Sequence, residues 1–214
     1  EAGALTLRDA LLLVRKRGEY MQQAVPVGEG AMAALLGGAQ AAAEAVCREA
    51  AQGEICSPAN LNSPGQVVIA GHAAAVRRAV ELAPRHGIRR AVVLNVSAPF
   101  HCSLMQPAAE KLARDLDATE ISAAAVPLVN NVDAAAVQRA EAIRDGLKRQ
   151  VTASVRWEES IRTLLASQVD LFIEAGPGTV LSGLMRQIDR GARCLPAGDK
   201  RSLEEALVAC AGRC

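Results

Sequence analysis

Aromatic side chains are scarce in this sequence: Tyr20, Phe100, Trp157 and Phe172 are the only four among 214 residues. A core built from it must rest on aliphatic side chains and alanine. No apolar run approaches the roughly 20 residues a membrane helix needs, and no signal-peptide pattern opens the chain. The first residue is Glu1 rather than Met, and it reads as a cut point. Net charge is +1, with arginines intermixed among acids, so neither nucleic acid nor a membrane surface is expected as a partner. The G-x-G-x-x-G fingerprint, the H-E-x-x-H pair and the G-x-S-x-G nucleophile elbow are all missing. The six cysteines (Cys47, Cys56, Cys102, Cys194, Cys210, Cys214) show no paired ligand spacing. Cys210 and Cys214 lie four apart on a terminal helix with no histidine near them, so no metal site is expected. Isolated thiols fit a reducing cytoplasm.

What remains is a globular composition, 50% hydrophobic and 22% charged. Thr6 with Asp9 three residues later predicts a helix start, and Leu7, Leu11, Val14, Gly18 and Met21 share one face of that helix. After a break at Pro26 to Gly30, the pattern predicts a strand over 30–36, a helix over 39–52 and strands over 55–61 and 66–70. Asn62-Ser63-Pro64-Gly65 supplies the turn between those two strands. A helix over 73–86 ended by Gly87 and a strand over 89–96 complete the order βαββαβ, that of a ferredoxin-like domain. Residues 98–214 alternate in the α/β style. Helices are predicted over 104–116, 140–150, 157–167, 180–188 and 203–211, and strands over 126–130, 170–174 and 193–196. A parallel sheet this narrow looks incomplete, and open apolar surface is expected from it.

Few side chains are candidates for chemistry. Ala98-Pro99 ends a strand, which puts His101 in the turn before a helix, where an imidazole serves as general base or as a packing residue. Arg17 falls on the apolar arc of its helix with Ala10, Leu13, Val14 and Met21, and Lys16 falls on the opposite side. A guanidinium there either snorkels, pairs internally or clamps a carboxylate. His72 and His86 flank helix ends and read as structural. Gly176-Pro177-Gly178 reads as a tight strand-to-helix turn more readily than as an anion cradle.

Taken together these segments are recognisable. Arg17-Gly18-Glu19-Tyr20-Met21-Gln22, Gly30-Ala31-Met32-Ala33-Ala34, the run from Asn60 to Gly71, Pro99 to Met105, Val129 to Asp133, Arg149-Gln150 and Glu174 to Gly178 follow one another in order. The chain resembles, over its whole length, the malonyl-CoA:acyl-carrier-protein transacylases of bacterial fatty-acid synthesis and, more broadly, polyketide synthase acyltransferase domains. The resemblance implies an α/β fold: an α/β-hydrolase-like large domain, incomplete here, from 1–25 and 98–214, with a ferredoxin-like βαββαβ subdomain inserted at 26–97.

It further implies ping-pong acyl transfer without a cofactor, from malonyl-CoA to the phosphopantetheine thiol of acyl carrier protein, by a cytoplasmic monomer. His101 would be the catalytic base, oriented by the backbone carbonyl of Gln150. Arg17, Phe100, Met21 and Asn62 would bind substrate. The family's serine elbow sits shortly upstream of the arginine helix, and this chain begins just after that point. The nucleophile therefore lies in another segment or has been lost, and the 214 residues alone are expected to be inactive. Two alternatives stay open: a thioesterase-type hydrolase on the same scaffold, which a transfer-versus-hydrolysis assay separates, and a non-catalytic module that folds with or docks carrier protein.

Overall fold

The computed structural model describes residues 2–211; Glu1 and Cys214, and with the latter the expected spacing to Cys210, lie outside them. The chain is α/β and forms two compact units, one running to Ser160 and one starting at Ile161. No helix of the described residues is long and apolar enough to cross a membrane.

In the first unit, α1 (Leu7–Gln23) starts at Thr6, whose hydroxyl accepts from the Asp9 N–H at 3.1 Å and donates to the Asp9 carboxylate at 2.6 Å. The sequence then delivers β1 (Gly30–Leu36), α2 (Gln40–Ala51), β2 (Cys56–Ser63), β3 (Gln66–His72), α3 (Ala73–Leu82) and β4 (Arg90–Val93). The strands form one sheet in the order β2-β3-β1-β4 with every neighbour antiparallel, the arrangement expected of the βαββαβ pattern. Alanine and valine dominate its core, where Ala33, Val46, Ala50, Ile69, Val76 and Ala79 are fully enclosed. With few large rings available, small side chains let α2 and α3 approach the sheet closely. The predicted strand over 89–96 is shorter in the structure. Pairing with β1 stops at Val93, and beyond it only the Leu94 N–H reaches the Met32 carbonyl.

A second core joins α1 to α4 (Gln106–Ala118), with Leu13, Met21, Met105, Leu112 and Leu116 enclosed. This overturns the expected packing face of α1. Leu7, Leu11 and Val14 are 77%, 62% and 68% exposed, and Lys16, expected on the far side, bonds to Asp115 of α4 at 2.5 Å. Periodicity marks an apolar stripe, but the partner decides which stripe is buried. The predicted strand over 126–130 survives only as β5 (Leu128–Val129), paired with β6 (Ala136–Val137), and α5 (Ala140–Arg149) follows. The helix α6 (Trp157–Ala166) ends the first unit and begins the second.

In the second unit, β7 (Leu171–Ala175) and β8 (Arg193–Ala197) pair in parallel across the intervening α7 (Val180–Ile188), and α8 (Lys200–Ala211) follows. Gly176-Pro177-Gly178 is the turn between β7 and α7. The anion at that helix start is internal: the Glu174 carboxylate accepts from the Leu181 and Ser182 N–H groups at 2.9 and 2.8 Å and from the Ser182 hydroxyl at 2.6 Å.

Two glycines separate tight packing from open space. A Cβ on Gly71 would lie 2.0 Å from the Ile55 carbonyl oxygen, whereas one on Gly18 meets nothing within 4 Å. Gly71→Ala should therefore destabilise the protein by about 1–3 kcal/mol. Gly18→Ala, inside α1, should stabilise it by about 0.5–1 kcal/mol. Denaturant midpoints at constant slope measure both, and a neutral Gly71→Ala would contradict the close approach of the Ile55 carbonyl to Gly71.

Candidate active site

The turn between β4 and α4 is built to hold one side chain in an unusual pose. Pro99 is fully enclosed and sits over Gly30, where a Cβ would come within 2.3 Å of the proline ring. The Cys102 thiol donates to the Pro99 carbonyl at 3.1 Å, and the Met105 N–H donates to the Cys102 carbonyl at 3.0 Å. Between them His101 has φ of 60°, in the left-handed region that non-glycine residues rarely enter. That conformation costs about 1–3 kcal/mol and persists only where the surroundings impose it.

What imposes it is the end of α5. His101 Nδ1 lies 3.0 Å from the Gln150 carbonyl oxygen. A carbonyl only accepts, so Nδ1 carries the proton and Nε2 keeps its lone pair. The Gln150 side chain donates back to the Ala153 and Ser154 carbonyls at 3.0 and 3.3 Å. The Ser154 hydroxyl donates to the Pro58 carbonyl at 2.6 Å, and Val155 exchanges backbone bonds of 2.8 Å with Ala59 and Leu61. Residues 150–155 thus clip onto β2. His101 lines a cleft of about 620 Å³ with Ser57, Pro58, Leu61, Ser154 and Arg156.

Burial lowers the His101 pKa from its ordinary value, and the nearby positive charge of Arg17 lowers it further; the Gln150 and Ala153 carbonyls pull the other way. Arg17 is half-buried, and burial is also what depresses its own pKa. Among the described residues no carboxylate or carbonyl bonds to it. Of the three readings of Arg17, internal pairing is therefore removed. Cys102, the thiol nearest to His101 in sequence, is pushed up to about 11 by burial and stays protonated at neutral pH.

The remaining predicted site residues are placed less directly. Phe100 is half-buried and packs against two core clusters, one under α1 and α4 and one beside the sheet. Met21 is 3% exposed within the first of these, leaving almost no side-chain surface for a ligand. Asn62 is half-buried near the end of β2, at a register shift between Leu61 and Ser63. His72 Nδ1 accepts from the Ile55 N–H at 2.9 Å, and His86 Nε2 meets Glu49 at 2.7 Å. Both histidines tie elements of the small sheet together. Reading the sequence residue by residue missed Asn130, Asp133 and Ser154, which surround the Gln150 segment. Asn130 and Asp133 were signalled by their short spacing around a turn and by the Val129 to Asp133 segment of the resemblance; Ser154 carried no such signal.

Because the folded pKa of His101 lies below the unfolded value of about 6.5, the unfolded chain binds more protons just below that pH. The stability held by neutral His101 is thus complete above about pH 6.5 and declines as pH falls through the folded value. Urea unfolding at pH 7 and pH 5 should show a larger loss for the parent protein than for His101→Gln. Equal losses would mean that the imidazole is not held neutral.

A family model described as acyl transferase domain matches residues 1–202. The malonyl CoA-acyl carrier protein transacylase of Bacillus subtilis (strain 168) is 47% identical over 207 residues, covering 96% of this chain and 65% of that protein. That of Escherichia coli (strain K12) is 49% identical over 187 residues, covering 87% and 60%. The solved malonyl CoA-acyl carrier protein transacylase of Coxiella burnetii superposes with a TM-score of 0.94 at 44% identity, over 97% of this chain and 66% of that one. A type II PKS acyl-carrier protein in complex with its malonyl-transacylase gives a TM-score of 0.94 at 45% identity, over 97% of this chain and 67% of that one. The chain thus spans 60% and 65% of the length of the two curated relatives. It belongs to the acyl transferase domain family.

Proposed function

We propose that this chain is the histidine- and arginine-bearing part of a malonyl-CoA:acyl-carrier-protein transacylase. In the complete protein a serine outside these 214 residues attacks the thioester carbonyl of malonyl-CoA while His101 Nε2 takes its proton. The same imidazole returns that proton to the departing coenzyme A sulfur, leaving a malonyl ester on the serine. The phosphopantetheine thiol of acyl carrier protein then attacks the ester, again with His101 as base, and the serine leaves with the proton. No cofactor takes part, and the enzyme works as a cytoplasmic monomer. Residues 1–25 and 98–214 belong to the larger acyltransferase domain, and 26–97 form the subdomain inserted in it.

The observation that carries the reading is the pairing of a base with an unmatched cation. His101 meets the Gln150 carbonyl through Nδ1 and feels the charge of the half-buried Arg17 guanidinium, which has no hydrogen-bonded partner among the described residues. A buried cation without an internal anion is costly, and a malonyl carboxylate supplies the missing charge in bidentate form. Hydrolysis of simple thioesters has no use for that group. Phe100 adjoins the base and would border the substrate's α-carbon, with Asn62 in the surrounding shell and Met21 backing the site from the core without touching substrate.

Arg17→Ala in the complete enzyme tests the assignment. Loss of a charge-assisted bidentate pair in a partly dry site is worth about 2–4 kcal/mol, so malonyl transfer should fall roughly 30- to 1000-fold. Acetyl transfer should hold or improve. Equal losses for malonyl-CoA and acetyl-CoA would reduce Arg17 to a structural residue.

Phe100→Ser probes the steric side. If the ring fills the space of an α-methyl group, the methylmalonyl-to-malonyl ratio of specificity constants should rise by roughly 5- to 100-fold. A constant ratio with both rates lowered would show that Phe100 only supports His101.

A further inference from the structure

We propose that Asp133 and Arg149 are positioning residues whose ion pair holds the Gln150 carbonyl against His101. The inference rests on His101 being the base, and it concerns what keeps that base in its working tautomer.

Gln150 is the C-cap of α5, so its carbonyl goes where the last turn of that helix goes. Arg149, immediately before it, uses every guanidinium nitrogen. Nη1 and Nη2 donate to the two Asp133 oxygens at 2.8 and 2.7 Å, and Nε donates to Asp145 at 2.6 Å. Asp133 is fixed in turn by Asn130, whose amide donates to the carboxylate and whose side-chain oxygen accepts the Asp133 N–H, both at 2.9 Å. The helix also lies directly on Asn130. A Cβ on Gly146 would come within 2.9 Å of the Asn130 amide nitrogen, and the Gly146 carbonyl accepts the Gln150 N–H at 3.0 Å.

The chain leaving Gln150 returns to the same anchor. Thr152 and Ala153 donate their N–H groups to the Arg149 carbonyl at 3.3 and 3.1 Å, and Arg156 Nη1 donates to the Asp133 carbonyl at 3.0 Å. Gln150 is therefore gripped from both sides by groups that converge on Asp133. The side chains of the pair are 44% and 37% exposed, so it adds little to global stability. Its contribution is geometric: a planar fork on a pinned carboxylate fixes both distance and orientation. The neighbouring Arg149 charge holds the Asp133 carboxyl down to about 2, so the clamp stays charged at any working pH.

Nitrogen-resolved NMR of the three imidazoles tests this on the 214-residue chain, without malonyl transfer. The result is thus independent of whether the functional reading holds. Asp133→Asn and Arg149→Gln should shift the His101 tautomer ratio from Nδ1–H toward Nε2–H by roughly 2- to 10-fold. Arg149→Lys, which keeps the charge but loses the fork, should restore part of that shift. His72 and His86 serve as internal controls and should not move. An unchanged His101 ratio in Asp133→Asn and Arg149→Gln would overturn the proposal. So would joint movement of all three histidines in every variant, because that marks a general loss of structure.

Discussion

The hydrogen bond from His101 Nδ1 to the Gln150 carbonyl joins two parts of the chain that neither end could hold alone. One end is a single residue in a left-handed conformation, which relaxes unless something beyond the turn restrains it. The other is a helix terminus, where the last carbonyls have no partner within the helix. The imidazole gives the helix a donor, and the helix gives the turn its restraint. Choosing a carbonyl instead of a carboxylate also sets the electrostatics. A carboxylate would favour the imidazolium and would compete with substrate for Arg17. With a neutral acceptor, burial still holds the His101 pKa below its ordinary value, and Arg17 keeps no anionic partner among the described residues, which is the state that the proposed acyl transfer requires.

The small sheet contributes to the site through its edge. β2 is an edge strand, and an edge strand leaves a row of backbone groups unpaired. Here that row is occupied: Val155 bonds to Ala59 and Leu61, and Ser154 bonds to Pro58. The segment that follows Gln150 thus acts as a short additional strand. The αβ core behind β2, packed from alanines and valines, gives the cleft wall its rigidity. Stiffness reaches His101 through backbone hydrogen bonds more than through bulky side chains, as befits a sequence with so few aromatics.

Local signals in the sequence located most elements. The Thr6–Asp9 cap, the Pro64-Gly65 turn and the Gly87 stop each act within a few residues, and each lies where the pattern implied. Features that depend on a distant partner were not legible. The buried face of α1 is chosen by α4, so Leu7, Leu11 and Val14 stayed exposed while Met21 of the same stripe is enclosed. Two-residue strands such as β6 carry no periodicity at all. In the site, His101 and Arg17 stood out because a titratable or charged group in an apolar context is conspicuous. The Gln150 carbonyl has no side-chain signature, and only family resemblance pointed to it. Asp133 and Arg149 are sixteen residues apart, and nothing short of the fold brings them together.

The surface bonds of α1 also have a directional role. Lys16 and Tyr20 both bond to Asp115 on α4, at 2.5 and 2.8 Å. Exposed pairs of this kind contribute little stability. They do fix the rotation of the helix about its axis. Adjacent helix positions are about 100° apart, so a roll by one residue would replace Arg17 with the exposed Lys16 or with Gly18. Neither could supply a half-buried guanidinium near His101. The clip at Asp115 therefore orients the arginine on one side of the base, while the end of α5 orients the base itself from the other.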